Sequence, residues 1–187
     1  MESSRKNNNN FNYSEEELID VLLKQINDPR EDFCIFAIRE LKNYHSVKII
    51  EELTAIILND RKNEKKLEAI KSLKSRKPNE YIKSIIVEQL TSSSEDIRSE
   101  AAEFLKEYGD VVERDIRNFL MKDLPSYSKE KAIWLLGQIG EKETISFLEE
   151  FKMENPNEFD ELIIDSIGAI KTRNVRLLLD DLKNNVE

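Results

Sequence analysis

Residues 132 to 151 read Ala-Ile-Trp-Leu-Leu-Gly-Gln-Ile-Gly-Glu-Lys-Glu-Thr-Ile-Ser-Phe-Leu-Glu-Glu-Phe. Ala132, Leu135, Leu136 and Ile139 recur at the i, i+3, i+4, i+7 spacing that lines one helix face with apolar side chains. Gly140 is expected to stop that helix, since glycine is free to take positive φ. Ile145, Leu148 and Phe151 then open a second apolar stripe. Two short helices, each apolar along one side, cannot bury those sides alone. They need neighbours built the same way.

The rest of the chain supplies them. Ala37-Ile38-x-x-Leu41, Ala69-Ile70-x-x-Leu73, Ala101-Ala102-x-x-Leu105, Ala132-Ile133-x-x-Leu136 and Ile163-Ile164-x-x-Ile167 align, with steps of 32, 32, 31 and 31 residues. Tyr44, Arg76, Tyr108, Ile139 and Ile170 stand seven positions past each anchor, apolar in type except for Arg76. Upstream of the anchors lie Asp28, Asp60, Ser92 or Ser93, Asp123 and Asn155, residue types that cap helix N-termini. Pro29 and Pro156 then fall where a first helical residue would sit. A second helix is expected in each unit, at 47–58, 80–91, 111–122, 143–152 and 174–183. Its inward residues would be Ile50, Leu53 and Ile57; Ile82, Ile85 and Ile86; Val112, Ile116 and Phe119; Ile145 and Leu148; and Val175, Leu179 and Leu182. A period in this range marks a stacked array in which each unit completes its neighbour's core.

Before the array, residues 1–12 are polar and low in complexity and read as a disordered tail. Ser14 and Glu17 form a capping-box pair ahead of a lone helix at 14–27. One domain then runs from 13 to 187, with repeats at about 28–59, 60–91, 92–122, 123–153 and 154–187.

Bulk composition narrows the chemistry. Charged residues make up 36% and hydrophobic ones 39%, a balance that suits helices with one wet face. No run of 18 apolar residues occurs, so no membrane partner is expected. Cys34 is the single cysteine and reads as a small buried hydrophobe in a reducing, cytoplasmic setting. With His45 as the single histidine, Cys/His zinc sites and Ser-His-Asp or Cys-His catalysis are out of reach for this chain alone. No cofactor or metal is expected. The net charge of −9 repels phosphate backbones, so nucleic acid is not the expected partner.

Asp28-Pro29, Leu136-Gly137-Gln138-Ile139-Gly140 and Ile167-Gly168-Ala169-Ile170 resemble HEAT-like repeats of the short kind found in phycobilin (PBS) lyase subunits. The likeness covers residues 28–187, with Lys65 and Arg76 departing from it where apolar residues would sit, and Tyr108-Gly109 replacing the full glycine motif. It implies an all-α, right-handed α-solenoid, an armadillo-like superhelix of about five two-helix repeats plus an N-terminal helix. It also implies that the second helices line a concave face. Such repeats serve many functions, and fold alone does not choose among them.

On that face, Glu51, Glu52, Lys83, Arg114, Arg117, Glu149 and Asp180 are candidates for binding a protein or peptide. They would form a groove basic in its middle (Lys83, Arg114, Arg117) and acidic toward its ends. Trp134 is the more pointed candidate. Its counterparts in the other units are Arg39, Lys71, Glu103 and Asp165, so the position is wet and the indole should be partly exposed. The alternative is that Trp134 packs back on a neighbour, with Tyr127 in reach. The expected function is a non-catalytic protein-binding scaffold or adaptor. The contrasting readings are a non-autonomous subunit of a bilin/tetrapyrrole lyase, and a HEAT-like nucleic-acid-binding or DNA-repair protein. Glu51-Glu52 and Glu149-Glu150 could serve a lyase as acids, but adjacent carboxylates on a helix point apart. The protein is expected to be a monomer or a homodimer through its apolar C-terminal repeat.

Overall fold

In the computed structural model the chain is described over residues 13–76 and 79–184, with side chains described as far as Leu177. The tail at 1–12 and the side chains of Leu179, Asp180 and Leu182 lie outside the described residues. The described residues form helices and no strand: α1 (Glu15–Gln25), α2 (Glu31–Glu40), α3 (Val47–Asn59), α4 (Asn63–Leu73), α5 (Glu80–Glu88), α6 (Glu95–Lys106), α7 (Glu113–Leu120), α8 (Ser126–Ile139), α9 (Lys142–Glu154) and α10 (Asp160–Asn184). Short 3-10 turns extend α2 and α5 and precede α7. Among the described residues, no helix is long and apolar enough to cross a membrane.

Helices α2, α4, α6, α8 and α10 pack one upon the next, as do α1, α3, α5 and α7, while α3, α5, α7 and α9 each pack on the helix that follows. The anchors explain why. Every anchor of the first four units, from Ala37 to Leu136, is fully buried. Small residues at the first anchor position let helices approach, and Ile and Leu at the others, with Ala102 the exception, fill the space between them.

The helix starts differ from the expected caps. The Ser14–Glu17 capping box is present in both directions. Asp28, however, is not a cap: its Oδ1 accepts the backbone N–H of Arg30 at 2.9 Å, and Arg30 is the cap position. Asp60 does the same for Lys62 at 2.8 Å, and Ser92 accepts the N–H of Ser94 at 3.3 Å. These residues form turns two positions ahead of the cap, the self-bonding habit of short polar side chains. The Arg30 side chain also donates to Asp28 and holds that carboxyl down to about 2. Asn155 ends α9 rather than starting α10, its Nδ2 donating to Phe151 O at 2.9 Å.

The two misfits in the second unit are C-terminal caps for earlier helices. Lys65 Nζ reaches Ile26 O at the end of α1 at 3.3 Å. Arg76, buried where an apolar residue was expected, donates to Tyr44 O at 2.8 Å and Leu41 O at 2.9 Å. Cations stabilise helix C-termini because carbonyls there lack partners.

Two other expectations are corrected. Gly140 sits at φ −66, ψ 152, so positive φ is not its role. A Cβ there would lie 2.5 Å from Leu136 O and 2.6 Å from the Thr144 side chain, so only glycine fits the close turn. The fifth unit is not a helix pair. Its turn is absent and α10 runs unbroken through Gly168 and 174–183, because Lys171-Thr172-Arg173-Asn174 holds no glycine or proline to end it. Accordingly Ile164 and Val175 point outward.

Joints between successive units repeat in kind. Ser72 Oγ donates to Ile38 O at 2.8 Å and Ser166 Oγ to Ile133 O at 3.1 Å, each three residues past an anchor and reaching one past the previous anchor. Arg173 adds bonds to the carbonyls of Gly137, Gln138 and Gly140. Among the described residues, the polar links at the middle joints, where Phe104 and Leu135 take the serine position, run between side chains, as in Lys74–Glu100 at 2.6 Å and Lys131–Glu95 at 2.9 Å.

Candidate functional site

Of the three cations expected to make the middle of the second-helix groove basic, two are engaged by neighbouring side chains. Lys83 is only 8% exposed, and its ammonium bonds Asp115 and Glu80, each at 2.7 Å. Those bonds, the one to Asp115 first, raise its pKa. Arg117 is half-buried, paired to Glu113, bonded to Thr144 Oγ1 at 2.9 Å and set over the Phe147 ring at 5.5 Å. Both cations therefore join neighbouring helices instead of facing a partner. Arg114, Glu51, Glu52 and Glu149 are exposed. The depression between α5 and α7 is small, about 230 Å³.

The larger groove, about 760 Å³, lies on the other layer, where α8 meets the start of α10. Trp134 is in it, half-buried: one part of the indole packs on the core and another lines the groove. Exposure and packing, posed as alternatives from the sequence, are both present. One wall is made by the α9–α10 turn. Asn157 takes φ 66, a left-handed value that Asn tolerates better than most residues, and Phe159 is buried beside Phe151 at 6.1 Å between ring centres. The other wall is Tyr127, which lies under Arg98, 4.3 Å from guanidinium carbon to ring centre.

The groove is acidic. Its lining carries six carboxylates and a single cation, Lys131. Glu95 is the most tightly held, bonded to Lys131 at 2.9 Å and Ser99 at 2.8 Å and paired with Arg98. The bonds from Lys131 and then Ser99 bring its pKa down to about 2. Glu158 accepts from Ser126 at 3.1 Å, and Asp160 faces Lys152 at 3.5 Å. Glu130, Glu161 and Asp165 are exposed, with no ion pair or hydrogen bond among the described residues. Lys106 and Lys131 approach the Trp134 ring to 5.7 and 5.8 Å, near the outer limit for attraction between a cation and a ring face.

Sequence reasoning found Trp134 and missed the carboxylates around it. Glu130 lies one turn before Trp134, and Glu161 and Asp165 lie one turn apart on α10. Asp165 was noted only as the wet counterpart of Trp134 in the next unit. That equivalence was the available signal, because equivalent positions of adjacent units end up side by side.

No family model matches the chain, and no curated protein matches it. Among solved structures, the chain is similar to a crystal structure of an engineered protein from a structural genomics consortium. The two share 18% identity over 82% of this chain and 79% of that one, with a TM-score of 0.46, too low to carry an argument about fold or function.

Proposed function

We propose that this chain is a HEAT-like α-solenoid that works as a non-catalytic protein-binding module, docking its partner in the groove beside Trp134. The architectural half of the reading is supported by bonds that recur at the repeat spacing: Asp28, Asp60 and Ser92 at the turns, and Ser72 and Ser166 at the joints. The functional half is carried by one observation. A large aromatic side chain, where the other units place charge, sits half-open in a groove of about 760 Å³. Trp brings much contact area for few rotatable bonds, which is why it recurs at interface centres.

The same groove argues for protein over chromophore or nucleic acid. Its wall is acidic, which disfavours the carboxylates of a tetrapyrrole and the phosphates of a nucleic acid alike. Affinity capture with the full chain, read by mass spectrometry, tests the reading. A partner held by the wild type should be lost with Trp134→Ala and kept with the double variant Glu51→Ala/Glu52→Ala. Equal retention by all three would remove the groove as the docking surface. Loss only with the double variant would return it to the second helices.

A further inference from the structure

The charge of the groove specifies its occupant more closely, and the inference rests on the docking reading above. We propose that the groove takes a Lys- or Arg-rich segment of a partner protein, with one cationic side chain against Trp134 and others against Glu130, Glu161 and Asp165. Two independent observations meet here. The first is that these three carboxylates are exposed and have no internal partner among the described residues, whereas Lys83 and Arg117 are neutralised by carboxylates of their own and adjoining helices. Like charges held close raise the energy of the free protein, and an incoming cation relieves that repulsion.

The second observation is the aromatic wall. Arg98 covers Tyr127 closely, a filled cation-on-ring pair. A few residues along α8, Trp134 has only Lys106 and Lys131 at the edge of range, and Lys131 is drawn aside by Glu95 and Ser99. The Trp134 pairing is the open version of the Tyr127 one. An extended peptide fits better than a metal ion, because among the described residues no three carboxylates converge closely enough to ligate one.

Trp134 is the single tryptophan, so its emission reports on the groove directly. The full chain is titrated at low salt with a short oligolysine, a short oligoglutamate and spermidine. Oligolysine should change the emission saturably, with affinity falling about tenfold in Glu130→Gln/Glu161→Gln/Asp165→Asn. The distant control Glu51→Gln/Glu52→Gln/Glu149→Gln removes as much charge and should stay within about twofold of wild type. Equal losses in both triple variants would mean attraction to net charge alone and would overturn the proposal. So would tighter binding of oligoglutamate, or spermidine binding as tightly as the peptide. If oligolysine fails while groove-dependent capture of a partner persists, the docking surface stands and this assignment falls. If oligolysine binds in the groove but no captured partner depends on it, the docking reading fails on its own evidence.

Discussion

Lys83 on α5 and Glu130 on α8 are both charged residues on helix surfaces, and they do opposite things. Lys83 is buried between Glu80 and Asp115 and ties α5 to α7. Glu130 stands at the rim of the Trp134 groove with nothing to neutralise it among the described residues. On the second-helix face Lys83 and Arg117 have their charge closed off by neighbours, whereas Glu130, Glu161 and Asp165 in the groove have theirs left open. A face that looks basic in a helical projection can thus be internally neutral, and only an unpaired charge is available to a partner.

Mutations should separate the two regions by what they damage. Arg117→Ala removes the partner of Glu113, which is nearly buried beside Thr144. It should cost about 2–3 kcal/mol, the largest loss in the series, seen as a lower denaturation midpoint. Lys83→Ala leaves Asp115 without its cation and should cost about 1–2 kcal/mol with no loss of partner binding. A binding defect at unchanged stability would instead make Lys83 part of a docking face.

Acid should distinguish the regions more gently. Glu95 titrates at about 2 in the folded chain against a reference of 4.5. Its pairing therefore contributes fully above 4.5 and fades as pH falls toward 2. Its side chain is 60% exposed, so water screens the contribution to under about 1 kcal/mol. Glu95→Gln should flatten the stability–pH curve in that window, as read by thermal midpoints. The smallest effect belongs to Glu130→Gln, Glu161→Gln and Asp165→Asn. Each should change stability by less than about 0.5 kcal/mol, with the sign toward stabilisation because repulsion is relieved. A clear loss of stability in any of them would show an internal partner and close the open side of the comparison.

Much of the fold was legible before any coordinates. Apolar spacing, recurring anchors and the Ser14–Glu17 box located the helices to within a few residues through α9. The failures came where a local signal depends on a distant neighbour. Asp28 was the right residue type two positions from the cap, and Gly140 was required by the Thr144 side chain rather than by φ. Arg76 looked like a flaw in the pattern because the carbonyls it caps belong to the previous unit. Of the site, Trp134 was readable because four counterparts defined what its position should be. The open carboxylates were not, since Lys83 and Glu130 look alike in one dimension and differ only in who stands opposite.

The way the units are joined sets how the molecule bends. At the first and last joints, Ser72, Arg76, Ser166 and Arg173 grip the backbone of the preceding unit. The central joints rely on apolar contact and on pairs such as Lys74–Glu100, whose attraction dissolved ions weaken. Rising ionic strength should therefore soften the waist of the molecule while its two ends stay stiff, and the Trp134 groove, bounded by α6 on one side and α10 on the other, straddles that change in rigidity.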